Sequence, residues 1–262
     1  LATADVVLSV NALEPAVLAK LKKGALTISF LSPTGSLDSI TAAKNAGVTA
    51  FSLELVPRIS RAQSMDALTS QALCAGYRAA LVAAELSPRF FPLLMTAAGT
   101  VTPANVIVLG AGVAGLQAIA TAKRLGAVIE ASDVRPPVKE QVESLGAKFI
   151  DVPFLTDEEK EIAKGVGGYA RPMPADWMRR QAELVHERAK QADIIITTAL
   201  IPGRKAPVLI CEDTVKAMKP GSVIVDMAVE QGVNCPLSEL GKTVTKYGVH
   251  IIGEPNLATL VA

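Results

Sequence analysis

The stretch from Val106 to Asp133 constrains the fold most, because all its parts agree on one supersecondary unit. It begins with the short apolar run Val106–Leu109, typical of a strand buried on both faces of a parallel sheet. The sequence GAGVAG at 110–115 follows and matches G-x-G-x-x-G, with glycines placed for a tight turn, a close phosphate and close helix packing. Residues 116–125 then predict a helix and 127–131 a second strand.

This unit predicts dinucleotide binding through Gly110, Gly112, Gly115 and Asp133. The free N–H groups at the start of the helix face the position of a bound phosphate. Asp133 lies 23 residues after Gly110, where a carboxylate can bond a ribose 2′-hydroxyl. A carboxylate repels the 2′-phosphate of NADP, so NAD(H) is favoured, although Arg135 softens that preference. The alternative is an ordinary βαβ unit without a ligand.

Composition and charge exclude several other classes of protein. Of the 262 residues, 50% are hydrophobic, but 19% are charged and no uncharged apolar run is long enough to span a membrane, which predicts a soluble protein. A net charge of +1 with interspersed signs indicates no nucleic-acid partner. Three cysteines without CxxC pairing favour a reducing compartment. The sequence contains neither an HExxH motif nor a carboxylate cluster, so it does not indicate a metal site.

Alternating strand and helix patterns predict an α/β fold of two Rossmann-like domains with doubly wound parallel sheets, linked by a long helix. We assign residues 1–64 together with 229–262 to a first, incomplete α/β domain. Residues 65–91 form the linking helix in this prediction, and 92–228 form the NAD-binding Rossmann domain.

A polar segment precedes the predicted long helix. Arg58, Gln63 and Asp66 are groups able to bind an amide and sugar hydroxyls. The structural alternative is that Ser60 and Gln63 form an S-x-x-Q capping box, with Asp66 in the first helical turn. The two interpretations are compatible.

Two loops are further candidates. Gly168 and Tyr169 lie in a glycine-rich segment followed by prolines, which predicts a long loop that is either a lid or an ordinary surface loop. Ala199 and Leu200 follow a buried strand at its carboxyl end, where open α/β sheets place ligands, so function is favoured there. Asp226 also ends a strand on that side, and Asn234 follows it.

Several runs together resemble the NAD(H)-binding component, the alpha subunit or domain I, of proton-translocating nicotinamide nucleotide transhydrogenases. They cover nearly the whole chain and are RISRAQSMDALTSQALCAGYRA from residue 58, MTAAGTVTPANVIVLGAGVAGLQAIATAKRLGA from 95, SDVRPPVKEQVESLGAKF from 132, GGYA from 167, TTALIPGRKAPVLI from 197 and GSVIVDMAVEQGVNCP from 221.

This resemblance implies a peripheral homodimer on a membrane domain II, facing an NADP(H)-binding domain III. Hydride would pass directly between NAD(H) and NADP(H), coupled to proton translocation. The chain would lie on the cytoplasmic face of a bacterial inner membrane or on the matrix side of a mitochondrial-type membrane.

The resemblance also implies roles for individual residues. Arg58 and Asp66 would orient the NAD(H) carboxamide, and Gln63 would reach the nicotinamide ribose of the other nucleotide. Tyr169 would close over the site. The other nucleotide contacts that the resemblance implies are Ser64, Met65, Val113, Ala114, Asp133, Val134, Arg135, Gly168, Ala199 and Leu200.

The sequence also departs from the family pattern and leaves alternatives open. Val233 stands where the family usually has a second glycine, and part of the first domain is expected to be absent from the chain. The first alternative is an alanine dehydrogenase, which needs a histidine after an early strand, whereas Ser29–Thr34 contains none. The second is a non-catalytic NAD-binding module.

Overall fold

The chain forms two compact units of α-helices and predominantly parallel strands. The computed structural model describes residues 1–33, 35–165, 171–201 and 204–261. The first unit comprises Leu1–Gln71 and the second Ala72–Ala262. The predicted α/β class is therefore confirmed.

The first unit is built on a parallel three-stranded sheet in the order β1-β2-β3. Its elements are β1 (Val6–Asn11), α1 (Pro15–Leu18), β2 (Leu26–Phe30), α2 (Leu37–Ala46), β3 (Thr49–Ser52) and two 3-10 helices, Leu53–Leu55 and Ser60–Met65. Leu18 of α1 and Ala43 of α2 share one buried cluster, whereas Leu8 of β1 is 73% exposed. The first unit is thus an α/β unit built on a parallel sheet, as predicted.

Helix α3 (Ala67–Leu86) carries the chain from the first unit into the second. Pro88 follows its last turn and cannot continue a helix, since it lacks an N–H group. Within the predicted linking segment 65–91, the helix thus spans residues 67–86.

The second unit contains a seven-stranded sheet in the order β11-β12-β10-β9-β6-β7-β8, in which β11 alone pairs antiparallel. Its strands are β6 (Asn105–Leu109), β7 (Val128–Ser132), β8 (Lys148–Phe149), β9 (Ile194–Thr197), β10 (Val223–Asp226), β11 (Thr243–Lys246) and β12 (Val249–Ile252), with a separate hairpin of β4 (Leu94–Thr96) and β5 (Gly99–Val101). The other helices are α4 (Val113–Arg124), α5 (Val138–Ser144), α6 (Asp157–Ala163), α7 (Ala175–Ala189) and α8 (Glu212–Ala217), with 3-10 helices at Val229–Gln231 and Leu257–Leu260.

Both faces of this sheet are buried. Along β6, Val106 and Val108 enter one hydrophobic cluster, while Ile107 and Leu109 enter another on the opposite face. The chain adds β7 and β8 on one side of β6 and then returns with β9 on the other side. The strand order thus reverses between β6 and β9, which is where doubly wound sheets bind ligands.

The C-terminal strands lie in the second sheet, which differs from the prediction for residues 229–262. Strand β12 pairs parallel with β10, with Val223 opposite His250, and β11 pairs with β12. Ile251 is fully buried in the core of this unit. The predicted assignment of these strands to the first domain is wrong, because their apolar residues complete the large sheet.

Val233 adopts a backbone conformation that a β-branched residue rarely takes, with φ of 64°. The left-handed region costs a non-glycine residue about 1–2 kcal/mol. We therefore expect Val233→Gly to raise the free energy of unfolding by about 1 kcal/mol, after part of the gain is offset by the greater freedom of glycine in the unfolded chain. Denaturant unfolding measures this change.

Val208→Gly is the matched control, because Val208 has no positive φ in the structure. It is expected to lower the free energy of unfolding. A Val233→Gly variant as destabilised as this control would contradict the strain at position 233.

Candidate functional site

The glycine turn joins β6 to α4 as the sequence predicts. Gly110 has φ of 91°, a conformation that glycine adopts without strain. A Cβ on Gly115 would lie 1.9 Å from the Gly110 carbonyl oxygen, so the third glycine permits the close packing of α4. A Cβ on Gly112, in contrast, would meet nothing nearer than the Arg135 Nη2 at 3.9 Å. A Cβ at the second glycine would therefore make only an ordinary van der Waals contact, with the end of a long side chain.

The start of α4 provides backbone donors at this turn. Gly112 is the N-cap residue and supplies no capping side chain to the helix. The first N–H groups of a helix have no intrahelical partner, and those of Val113 and Ala114 lie in this first turn. The turn therefore has the geometry and the dipole that suit a phosphate.

The Asp133 carboxylate is fixed beside the glycine turn. Its Oδ2 accepts a hydrogen bond from the Ala111 N–H at 2.8 Å, and its Oδ1 accepts one from the Arg135 N–H at 2.9 Å. The Arg135 guanidinium also donates to both oxygens, at 2.9 and 2.8 Å. These hydrogen bonds raise the pKa of Arg135. The predicted proximity of Asp133 to the turn is thus observed.

A cavity of about 240 Å³ adjoins Asp133 at the carboxyl ends of β7 and β8. Aromatic and charged side chains line it together, and Trp177 stacks on Phe154 with ring centroids 6.1 Å apart. The lining residues are Asp133, Val134, Arg135, Pro136, Lys139, Phe149, Asp151, Val152, Phe154 and Trp177.

The loop after β9 contacts the glycine turn directly. Thr198 Oγ1 donates a hydrogen bond of 2.6 Å to the Gly110 carbonyl oxygen. The next residue, Ala199, bonds with both its N–H and its carbonyl group to the Asn234 side chain. The structure therefore brings both Ala199 and Asn234 to the turn. The sequence placed Asn234 after the strand that ends at Asp226 but indicated no contact for its side chain.

Asp226 anchors the segment that carries Asn234. Its carboxylate accepts hydrogen bonds from the N–H groups of Asn234 and Cys235, each at 3.0 Å. Burial raises the pKa of the Cys235 thiol to about 11, and the Asp226 charge acts in the same direction. That thiol is therefore not a nucleophile at neutral pH.

The polar segment of the first unit folds differently from the predicted capping box. Residues Ser60–Met65 form a 3-10 helix, and Asp66 caps α3 by accepting hydrogen bonds from Thr69 N–H at 2.9 Å and Thr69 Oγ1 at 2.7 Å. These bonds, and more weakly the Arg58 charge, lower the pKa of Asp66. Asp66 is the cap because α3 begins at residue 67.

The other predicted residues of this segment, Arg58, Gln63, Ser64 and Met65, are exposed. Gly168 and Tyr169 lie outside the described residues. Each histidine bonds to a threonine hydroxyl, His186 to Thr214 and His250 to Thr245. Within the described ranges, no group of three or more His, Cys, Asp or Glu side chains could hold a metal ion.

Two family profiles match the chain. The profile of "Alanine dehydrogenase/PNT, N-terminal domain" matches residues 1–75, and that of the C-terminal domain matches residues 79–262. In the part of the chain that the structure describes, none of the helices combines the length and hydropathy needed to cross a bilayer.

The related proteins are named either transhydrogenase subunits or alanine dehydrogenases. An NAD(P) transhydrogenase alpha subunit of Rhodospirillum rubrum is 55% identical over 245 residues, covering 94% of this chain and 63% of the relative. The NAD(P) transhydrogenase subunit alpha of Cereibacter sphaeroides is 48% identical over 260 residues, covering 99% and 49%. Alanine dehydrogenase of Bacillus subtilis is 30% identical over 232 residues, covering 87% and 54%. The chain thus spans about half to two thirds of these relatives.

A solved transhydrogenase structure from Sinorhizobium meliloti superposes with a TM-score of 0.85 at 48% identity, covering 99% of this chain and 69% of that one. An L-alanine dehydrogenase structure shares the fold, with a TM-score of 0.75 at 24% identity and coverage of 98% and 68%. Both agree with the Rossmann-like fold of the second unit.

Proposed function

This chain belongs to the alanine dehydrogenase/PNT family, both of whose domains it matches, and from that membership we propose that it is the NAD(H)-binding component of a proton-translocating transhydrogenase. In this role it holds NAD(H) for direct hydride exchange with NADP(H) on a partner. The identity of 55% to a transhydrogenase subunit, against 30% to an alanine dehydrogenase, supports this activity over the alternative.

The observation that carries nucleotide binding is the arrangement at the end of β6. No backbone atom crowds Gly112, so a pyrophosphate can approach there, and the first N–H groups of α4 point toward it. Asp133 lies beside the same turn, bonded to the Ala111 N–H, where it can accept a hydrogen bond from a ribose hydroxyl. The side chain of Arg135 is long enough to move aside. We therefore expect a ribose hydroxyl to replace its guanidinium at Asp133.

The proposed reaction requires little acid–base chemistry from the protein. Hydride transfer from one nicotinamide C4 to another needs no proton, so positioning of the rings at roughly 3 to 3.5 Å is the main contribution. His186 and His250 are both bonded to threonines, which agrees with a reaction that uses no histidine.

By resemblance, we assign Arg58 and Asp66 to the orientation of the NAD(H) carboxamide. Gln63 reaches the nicotinamide ribose of the partner's nucleotide, and Ser64 and Met65 complete the segment. The exposure of Gln63 supports a contact with a partner.

The proposal includes the assembly that the family resemblance implies. The chain forms a homodimer that associates with an NADP(H)-binding domain III and a membrane domain II. Proton translocation belongs to the membrane domain, and this chain lies peripherally at the membrane.

Reconstitution tests the proposal directly. The protein is mixed with an NADP(H)-binding component, and reduction of a spectrally distinct NAD analogue by NADPH is followed. We expect turnover that needs both components. Oxidation of NADH by pyruvate plus ammonium, without the partner, would favour an alanine dehydrogenase. Nucleotide binding without turnover in either assay would favour a non-catalytic module.

In the same assay, Gln63→Asn is expected to leave NADH affinity within about twofold and to lower turnover about tenfold or more, because a shortened side chain loses its contact with the other nucleotide. Arg61→Gln, at an exposed neighbouring position, is the matched control and should leave both quantities unchanged. Unchanged turnover in Gln63→Asn would remove Gln63 from the mechanism.

A further inference from the structure

A buried polar chain links the end of β10 to the loop after β9. Asp226 is 1% exposed, and besides the two N–H groups of Asn234 and Cys235 it accepts hydrogen bonds from Ala228 N–H at 3.0 Å and Ser238 Oγ at 2.8 Å. These bonds fix the backbone at Asn234. The carboxylate therefore serves the protein itself and is not available to a ligand.

The Asn234 side chain extends this chain to Ala199. Its Oδ1 accepts the Ala199 N–H at 3.1 Å, and its Nδ2 donates to the carbonyl oxygens of Ala199 at 3.0 Å and Pro207 at 2.7 Å. The Asn234 amide thus pairs with both the N–H and the carbonyl group of Ala199, as the backbone of a neighbouring β-strand does. Both amide N–H groups and the oxygen are used, so Asn234 is satisfied by backbone groups.

Ala199 is in turn packed on the glycine turn. A Cβ on Gly110 would lie 3.0 Å from the Ala199 nitrogen and 3.2 Å from its Cα. Contact with Gly110 limits movement of Ala199 toward β6, and the Asn234 amide restrains movement of the loop after β9 in the other direction. Asn234 thus fixes the position of the loop after β9, while β6 and α4 hold the glycine turn itself.

The strand order tells which half of a dinucleotide this loop faces. Asp133 ends β7 on one side of β6, and Ala199 follows β9 on the other side. The ribose 2′-hydroxyl that distinguishes NAD from NADP belongs to the adenosine half, and it goes to Asp133. The nicotinamide half therefore extends over the β9 side.

We propose that Asn234 is a positioning residue for the nicotinamide half of NAD(H), acting through Ala199 and held by Asp226; this rests on the proposed function. Asn234 is 0% exposed, so it cannot touch the nucleotide itself. Aspartate at this position has no N–H to donate and places a charge against two carbonyl oxygens. Serine is too short to bond both groups of Ala199.

Titration of the full chain with NADH and with ADP-ribose, which lacks the nicotinamide, tests this role. For Asn234→Asp we expect NADH affinity to fall about tenfold or more and ADP-ribose affinity to change less than about threefold. A purely structural role would weaken both ligands equally. Asn234→Ser, which adds no charge, is measured in parallel and should show the same selective loss of NADH affinity. The inference can therefore still be tested if the aspartate variant does not fold.

Thr214→Val is the matched control, because Thr214 is equally buried but bonds to His186 and Cys211 outside this chain of contacts. It should bind both ligands as the parent does. Equal losses for the two ligands, or no loss in a folded Asn234 variant, would overturn the inference. A parent that binds neither ligand would overturn the proposed function and the inference with it.

Discussion

Gly112→Ala is expected to lower NADH affinity at least about tenfold while reducing the free energy of unfolding by no more than about 1 kcal/mol. The added methyl group meets no protein atom within 3.9 Å, and the φ of −74° at Gly112 suits any residue. The small loss of stability reflects the poorer helix capping of alanine relative to glycine. The methyl group occupies the space through which a pyrophosphate approaches the backbone.

Titration with NADH and denaturant unfolding of the same preparation separate the two effects. Retained affinity in a stable Gly112→Ala variant would mean that the nucleotide does not approach this turn. Loss of stability well beyond about 1 kcal/mol would mean that the added methyl group meets protein atoms after all.

Gly115→Ala is expected to have the opposite signature. Its Cβ would lie 1.9 Å from the Gly110 carbonyl oxygen and 2.9 Å from the carbonyl carbon, and both atoms belong to the backbone. Neither can move without shifting β6 or α4, so we expect a loss of at least about 3 kcal/mol in the free energy of unfolding. NADH binding is lost with the geometry of the turn.

Gly112→Ala serves as the control here, since it adds the same methyl group three residues earlier. Denaturant midpoints of the two variants give the comparison. Equal stability of Gly115→Ala and the parent would contradict the close packing of α4 against β6.

The sequence predicted the features that depend on local pattern. The buried strand β6, the turn, a helix after it and the position of Asp133 all follow from residue spacing within one βαβ unit, although α4 begins at Val113 rather than at the predicted residue 116. The glycine roles were also predictable, because each follows from a local steric requirement.

Features that depend on distant pairing were not predictable from spacing. Asn234 and Ala199 are 35 residues apart. Neither local sequence pattern indicates that the Asn234 side-chain amide bonds to the Ala199 backbone. The pairing of β12 with β10 is similar, since an apolar strand pattern does not specify which sheet it joins. The cap of α3 was misassigned because Ser60 and Asp66 both fit capping patterns, and only the 3-10 conformation of Ser60–Met65 distinguishes them.

In the proposed function, the glycine turn and Asp133 together hold NAD(H). Arg135 neutralises part of the Asp133 charge through two hydrogen bonds, yet the carboxylate still lies where a 2′-phosphate would have to fit. Direct titration of the unmodified chain with NADH and with NADPH tests this arrangement. We predict that NADH binds and that NADPH binds at least about tenfold more weakly. Equal affinity for the two nucleotides, or tighter binding of NADPH, would contradict it.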